Sequence, residues 1–284
     1  MIGIFDSGSG GLTVMRAIER ELPDQSFLYL GDHRHAPYGN RSPEDIYGRT
    51  LRSLETLFER GCSLVVMACN TAAATGLRQL QQTWLPILHP SRRVIGVVVP
   101  VVEAITGMPW FAGNKVSIRT APDAEPTRVA IFATAHTVQT RVYVAEIRHR
   151  ARHIQVAQKA CPDLVGLIEA AASPPMIKDA VRRYVEQLLG EEGVPDICIL
   201  GCTHYPLIEE YFIAELPSEV TVLSQPDVAA RSLAAYLDRH PHFRNDGTPH
   251  LQFLTTGDAA HVSALATRFY GRPVEFTSIP PMHT

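Results

Sequence analysis

Short apolar runs alternate with stretches of helical periodicity along most of the chain. Ile2–Phe5 reads as a strand and leads into Gly8-Ser9-Gly10-Gly11. Leu12, Met15, Ile18 and Leu22 then recur at helical spacing and stop at Pro23. Phe27–Leu30 is a second strand. Ser42-Pro43-Glu44-Asp45 is a capping box with proline at the first helical position, and the helix it opens ends near Gly61. Leu64–Ala68 reads as a third strand, running into Cys69 and an alanine-rich helix from Ala72 to Leu80. Val94–Val99 is a fourth. A second series follows, with strands expected at Val129–Ala133, Ile154–Val156, Ile197–Leu200 and Val220–Leu223.

Strand–helix alternation of this kind predicts parallel sheets in an α/β fold. An internal echo sharpens that expectation. Val65-Val66-Met67-Ala68-Cys69-Asn70-Thr71 resembles Ile197-Cys198-Ile199-Leu200-Gly201-Cys202-Thr203, and Ile4-Phe5 before Asp6-Ser7 resembles Ile131-Phe132 before Ala133-Thr134. Each is an apolar strand followed by small or polar residues at an expected helix start. The echo predicts two pseudo-symmetric lobes, each a mainly parallel sheet flanked by helices, with the active site at the lobe interface. The first lobe is expected at 1–98 plus 225–284 and the second at 99–224. Glycine, proline and polar residues dominate 107–126, which reads as a surface insertion.

Composition narrows the function classes. The chain has 284 residues, enough for two α/β lobes with a core each. It is 45% hydrophobic and 19% charged with a formal net charge of −3, and no basic stripe runs along it. Nucleic acid is therefore not an expected partner. The longest apolar run, Val94 to Ile105, is broken by Pro100 and Glu103 and is too short for a membrane span. Met1 passes directly into the first strand, so neither a signal peptide nor an N-terminal activator-binding extension is expected. Five cysteines (Cys62, Cys69, Cys161, Cys198 and Cys202) show no framework spacing, which predicts reduced thiols in a cytoplasm.

Most cysteines are buried small hydrophobes, and Cys62, Cys161 and Cys198 fit that description. Cys69 and Cys202 differ, because each ends a strand just before an expected helix. A helix N-terminus favours the thiolate and lowers its pKa from about 8.5 toward neutrality. Asp6 alone would be a turn residue and His204 alone a satisfied histidine. Beside the two cysteines, each becomes a candidate to hold or move a thiol proton. Ser7, Asn70, Thr71, Thr134, Thr137 and Thr203 crowd the same strand ends. They suit N-caps and equally a carboxylate or ammonium ligand. Arg41 is the nearest arginine, so an anionic substrate would be held mainly by neutral donors and helix ends.

Other chemistries find less support. Asp32 lies at the distance of a dinucleotide-binding acid, but G-x-G-x-x-G fails at Thr13. No Walker motif is present. None of Lys115, Lys159 and Lys178 sits at a strand end where a Schiff base would form. Cys69, Cys202, His204 and Asp6 lack zinc-ligand spacing.

Taken together, these segments resemble glutamate racemases of the aspartate/glutamate racemase superfamily. The matching pieces are Ile4-Phe5-Asp6-Ser7-Gly8, Pro37-Tyr38-Gly39, Ala68-Cys69-Asn70-Thr71-Ala72, Thr134 with Thr137, Cys161-Pro162 with Leu167-Ile168-Glu169, and Leu200-Gly201-Cys202-Thr203-His204-Tyr205-Pro206. The resemblance covers nearly the whole chain. It implies a cytoplasmic enzyme that interconverts L- and D-glutamate without a cofactor, the D form being a peptidoglycan precursor. It implies that Cys69 takes the α-proton from D-glutamate and Cys202 from L-glutamate. Asp6 and His204 match the residues assisting these thiols, and Glu169 matches the acid near the histidine. Ser7, Tyr38, Gly39, Asn70, Thr71, Thr134, Thr137 and Thr203 match substrate-binding positions. The implied partner is the small-molecule substrate alone, with no membrane, no nucleic acid and no metal; a homodimer is left open.

Three features depart from the family pattern: the length of 107–126, Thr140 where a serine is usual, and the histidines His33 and His35. His204 itself favours glutamate, because aspartate racemases of the superfamily carry an acidic residue there. The alternatives are a racemase or isomerase for a related small acid such as aspartate, or a non-catalytic regulatory homologue on the same fold.

Overall fold

The computed structural model describes residues 1–107, 127–245 and 247–280. Apart from Gly107, the insertion expected at 107–126 lies outside the described residues. The chain forms two units, Met1–Val97 with Pro226–Thr284, and Val98–Gln225.

In the first unit, six parallel strands run in the order β10-β9-β2-β1-β3-β4. They are β1 (Ile2–Asp6), β2 (Phe27–Gly31), β3 (Leu64–Met67), β4 (Arg93–Gly96), β9 (Leu251–Thr255) and β10 (Thr277–Ser278). The central strands β1, β2 and β3 are buried along their full length. Helices cover both faces of a parallel sheet, so its inner strands are continuous apolar runs without alternation. α1 (Leu12–Glu21), α2 (Pro43–Glu59), α3 (Asn70–Gln79), α11 (Gln225–Arg239) and α12 (Ala259–Tyr270) are the main helices here. α2 starts as its capping box predicts, with the Ser42 hydroxyl accepting from the Asp45 N–H at 3.2 Å. A single π-helical turn, Leu80–Trp84, links α3 to the short α4 (Leu85–Leu88).

In the second unit, four parallel strands run β6-β5-β7-β8. They are β5 (Arg128–Ala133), β6 (Gln155–Ala160), β7 (Ile197–Gly201) and β8 (Thr221–Leu223). The helices are α5 (Val98–Thr106), α6 (Ala135–Thr140), α7 (Val142–Arg150), α8 (Leu164–Glu169), α9 (Pro174–Glu192) and α10 (Glu209–Glu215). The order β6-β5-β7-β8 repeats β2-β1-β3-β4, first strand inside and second strand on its flank. The sequence echo thus falls on equivalent places: Phe5 pairs with Met67, and Phe132 with Leu200. In each sheet the winding reverses at β1 or β5, and it is at the carboxyl ends flanking such a reversal that open α/β sheets bind ligands.

Most expected strands are met to within a residue at each end, and two differ by more. The apolar run expected as one strand, Val94–Val99, is β4 at Arg93–Gly96 followed by α5 from Val98. Apolar runs do not themselves distinguish strand from buried helix, and Pro100 sits in the first turn of α5, where its missing N–H costs nothing. The strand expected at Ile154–Val156 is β6 at Gln155–Ala160. As an edge strand it carries Gln158 and Lys159 and has no apolar periodicity.

Candidate active site

In the first unit the site is built on the ends of β1 and β3. Asp6, the last residue of β1, is fully buried. Its Oδ1 accepts the Gly8 N–H at 2.9 Å, and the Tyr29 hydroxyl donates to the Gly8 carbonyl at 2.6 Å. The small residues between β1 and α1 let the helix start against this carboxylate. A Cβ on Gly11, the N-cap of α1, would lie 2.5 Å from Asp6 Cβ.

Cys69 follows β3 and is the N-cap of α3. Its Sγ lies 3.3 Å from the Ser7 hydroxyl and accepts from the Ala72 N–H at 3.5 Å. Asn70 and Thr71 open the helix and are buried. Burial pushes the Cys69 thiol up to about 12, and the charge of Asp6 adds to that. The hydrogen bonds from Ser7 and Ala72 act in the other direction and are outweighed. The expected shift toward neutrality is therefore reversed: losing hydration costs the buried thiolate more than one long contact at the helix start returns.

Tyr38 and Gly39 lie in a 3₁₀ turn, Tyr38–Asn40. The Tyr38 hydroxyl donates to Asp32 Oδ2 at 2.7 Å. Arg41 does not reach toward the sulfur: its Nε donates to the His35 carbonyl at 2.5 Å and its Nη1 to Asp45 Oδ2 at 3.0 Å. Its charge is already engaged, and the groups nearest Cys69 are neutral or negative.

In the second unit the corresponding ends are those of β5 and β7. Thr134 caps α6, its Oγ1 accepting the Thr137 N–H at 3.2 Å and lying 3.0 Å from the Thr137 hydroxyl. Thr140, the unusual residue of this segment, donates to the Thr137 carbonyl at 2.8 Å, a bond a serine hydroxyl can also make. Cys202 and Thr203 follow β7 and are buried. His204 Nδ1 lies 3.9 Å from Cys202 Sγ, and its Nε2 lies 3.0 Å from Glu169 Oε1, at the end of α8. Burial works against a charge on this imidazole. The hydrogen bonds to Cys202 and Glu169 outweigh it and raise its pKa from 6.5 to about 10. His204 is an imidazolium at neutral pH.

The two halves are not copies in their chemistry. Cys69 has Asp6, Ser7 and the start of a ten-residue helix; Cys202 has His204 and Glu169 and is followed only by a 3₁₀ turn, Tyr205–Ile208. The helix start expected after Cys202 is therefore absent, and a side chain, His204, supplies the positive charge in its place. Cys62, Cys161 and Cys198 are buried free thiols, each pushed up by burial. Among the described residues, no three His, Cys, Asp or Glu side chains form a metal-ligand group.

One network was not legible beforehand. Asp32 Oδ1 accepts from the Thr256 hydroxyl at 2.6 Å and from His35 Nδ1 at 2.8 Å. His33 in turn meets Ser9 Oγ at 3.0 Å and Thr255 Oγ1 at 2.9 Å. Asp32, His33 and His35 stand out in the sequence, but Thr255 and Thr256 are signalled only by the short apolar stretch that ends there.

A family model described as Asp/Glu/Hydantoin racemase matches residues 2–233. The chain is 46% identical to a glutamate racemase of Roseobacter denitrificans, over 98% of this chain and 99% of the relative. It is 44% identical to one of Cereibacter sphaeroides, over 97% and 98%. Among solved structures, a glutamate racemase isoform of Bacillus anthracis superposes with a TM-score of 0.86 at 30% identity, over 100% of this chain and 98% of that one. That of Thermus thermophilus, in complex with β-chloro-D-alanine, gives 0.79 at 30% identity, over 99% and 96%. The resemblance carried by the motifs is borne out: the chain belongs to the Asp/Glu/hydantoin racemase family.

Proposed function

We propose that this chain interconverts L- and D-glutamate without a cofactor, with Cys69 and Cys202 as bases toward opposite faces of the α-carbon. The observation that carries this reading is one buried thiol at an equivalent strand end of each unit, each with its own proton partner. The names of the most similar relatives support glutamate as the substrate.

The reaction needs one sulfur without its proton and one with it. His204, an imidazolium beside Cys202, can compensate a thiolate there. Cys69 is held as a thiol. By the family pattern, the enantiomer whose α-hydrogen meets Cys202 is L-glutamate. Cys202 takes that proton, the C–H electron pair passes into the substrate carboxylate system, and the Cys69 S–H delivers its proton to the other face. The reverse direction starts from the state the forward one leaves, with the proton on Cys202 and Cys69 as the thiolate. The substrate's ammonium offsets the negative charge of Asp6, which lowers the cost of a thiolate in that surrounding. Side-chain and free backbone donors of Ser7, Gly39, Asn70, Thr71, Thr134, Thr137 and Thr203 bind the substrate's carboxylates as preorganised neutral groups, and Tyr38 is a further binding residue. We place the reaction in the cytoplasm, as a source of D-glutamate for peptidoglycan. Five buried free thiols suit a reducing compartment, and no helix among the described residues is long and apolar enough to cross a membrane.

The test is racemisation of L- and D-glutamate by chelator-treated protein and by Cys69→Ser and Cys202→Ser. Each substitution is expected to abolish turnover in both directions. Turnover of the unsubstituted protein in deuterium oxide is expected to place deuterium on the product's α-carbon. Substantial racemisation by both single variants ends the two-base reading. A preference for L-aspartate over L-glutamate ends the substrate assignment.

A further inference from the structure

Asp32 is fully buried, it ends no catalytic motif, and the mechanism above does not use it. It nonetheless has three donors: the Tyr38 hydroxyl on Oδ2, and His35 and Thr256 on Oδ1. A carboxylate only accepts, so Tyr38 must spend its single O–H proton on Asp32. What remains on Tyr38 Oη is acceptor capacity alone. Burial and the Asp32 charge hold Tyr38 far above its ordinary pKa of 10, and Cys69 lies close enough to contribute. This tyrosine therefore does not give up its proton to a neighbour at any working pH.

The other end of the network is fixed independently of the site. Thr256 follows β9, and its carbonyl and hydroxyl also accept from Arg34 Nε at 2.9 Å and the Arg34 N–H at 3.1 Å. The stretch from Asp32 to His35 is thus tied to the end of β9 through Thr256 and to itself through the His35–Asp32 bond, and Tyr38 is joined to it through Asp32. His35, one of the histidines unusual for the family, has a defined place here as a donor to the carboxylate.

We infer that Asp32 is a positioning residue for substrate binding: anchored by His35 and Thr256, it fixes the Tyr38 hydroxyl as an acceptor and holds the Tyr38-Gly39 turn beside Cys69. The inference rests on the proposed glutamate reaction and on Tyr38 as a binding residue of it. It assigns Asp32 no proton transfer and no substrate contact.

Asp32→Asn tests it, because a carboxamide donates as well as accepts and frees the Tyr38 proton to turn. The expected result is a rise in the KM for glutamate of roughly tenfold to a hundredfold, the range for losing one charge-assisted hydrogen bond, with kcat changed about threefold or less. In a Tyr38→Phe background the same substitution should change KM by less than about threefold, since Asp32 acts through that hydroxyl. If the asparagine variant does not fold, Thr256→Val removes one anchor near the end of β9. It should raise KM by a smaller factor, and only when Tyr38 is present. An unchanged KM in Asp32→Asn, or effects of Asp32→Asn and Tyr38→Phe that multiply independently, overturns the inference. So does a fall in kcat alone. Failure of the unsubstituted protein to racemise glutamate would sink the proposed reaction instead, and it is read in the same assay before any variant is compared.

Discussion

Asp6 illustrates how one side chain can oppose and assist the same sulfur. Its charge raises the Cys69 pKa, after burial, while Ser7 and the Ala72 N–H lower it. Asp6→Asn removes the charge and keeps the shape, so the Cys69 pKa must fall from about 12. In the substrate-free protein, alkylation of Cys69 by iodoacetamide, followed by peptide mass spectrometry across pH 7 to 12, should accelerate at every pH below the pKa. Racemisation should meanwhile slow by roughly 10²- to 10⁴-fold, the usual worth of a positioned acid/base group. Slower alkylation would mean that Asp6 acts on Cys69 otherwise than through its charge. The site's motifs were legible because each holds its chemistry within a few consecutive residues. The state of Cys69 was not, because it depends on burial and on an aspartate sixty-three positions away.

Among the elements, the starts of α1 and α3 carry the candidate residues of the first unit, and their tolerance is narrow. Gly11→Ala places a methyl 2.5 Å from Asp6 Cβ, where both are flanked by backbone and cannot turn aside. Overpacking of this kind costs about 1–3 kcal/mol, so the melting temperature should drop. kcat should fall as well, because Asp6 is the group displaced. A melting temperature and kcat equal to those of the unsubstituted protein would show that the loop relaxes freely. β1, β2, β3, β5 and β7 were legible because a strand covered on both faces is written as a continuous apolar run. β6 was displaced in the sequence reading because an edge strand need not be apolar. β9 and β10 escaped it altogether. Leu251–Thr255 is short and interrupted by Gln252, and it becomes a strand by pairing with β2 more than two hundred residues earlier. The Asp32–Thr256 bond was hidden for the same reason, since its partners are 224 positions apart.

For the molecule as a whole, the charge on His204 links stability to pH. Its pKa is raised from 6.5 to about 10 in the folded protein. A group shifted upward stabilises the fold fully below its unfolded pKa, and that contribution is lost as pH rises through the folded value. The melting temperature should thus decline between about pH 6.5 and pH 10 through this residue. Glu169→Gln removes one cause of the shift, so the decline should end at a lower pH and be smaller in total. Calorimetry of both proteins over that interval checks it, and coincident profiles would show that Glu169 does not support the imidazolium. The repeated strand order β2-β1-β3-β4 and β6-β5-β7-β8 gives the molecule two equivalent scaffolds. It equips one with a carboxylate and a hydroxyl, and the other with an imidazolium and a carboxylate. That inequality has a thermodynamic limit. Enantiomers have equal free energies in water, so the overall equilibrium constant is unity and the Haldane relation makes kcat/KM identical in the two directions. However differently the two thiols are prepared, the difference can appear only as matched changes in kcat and KM, one enantiomer turning over faster and binding correspondingly less tightly.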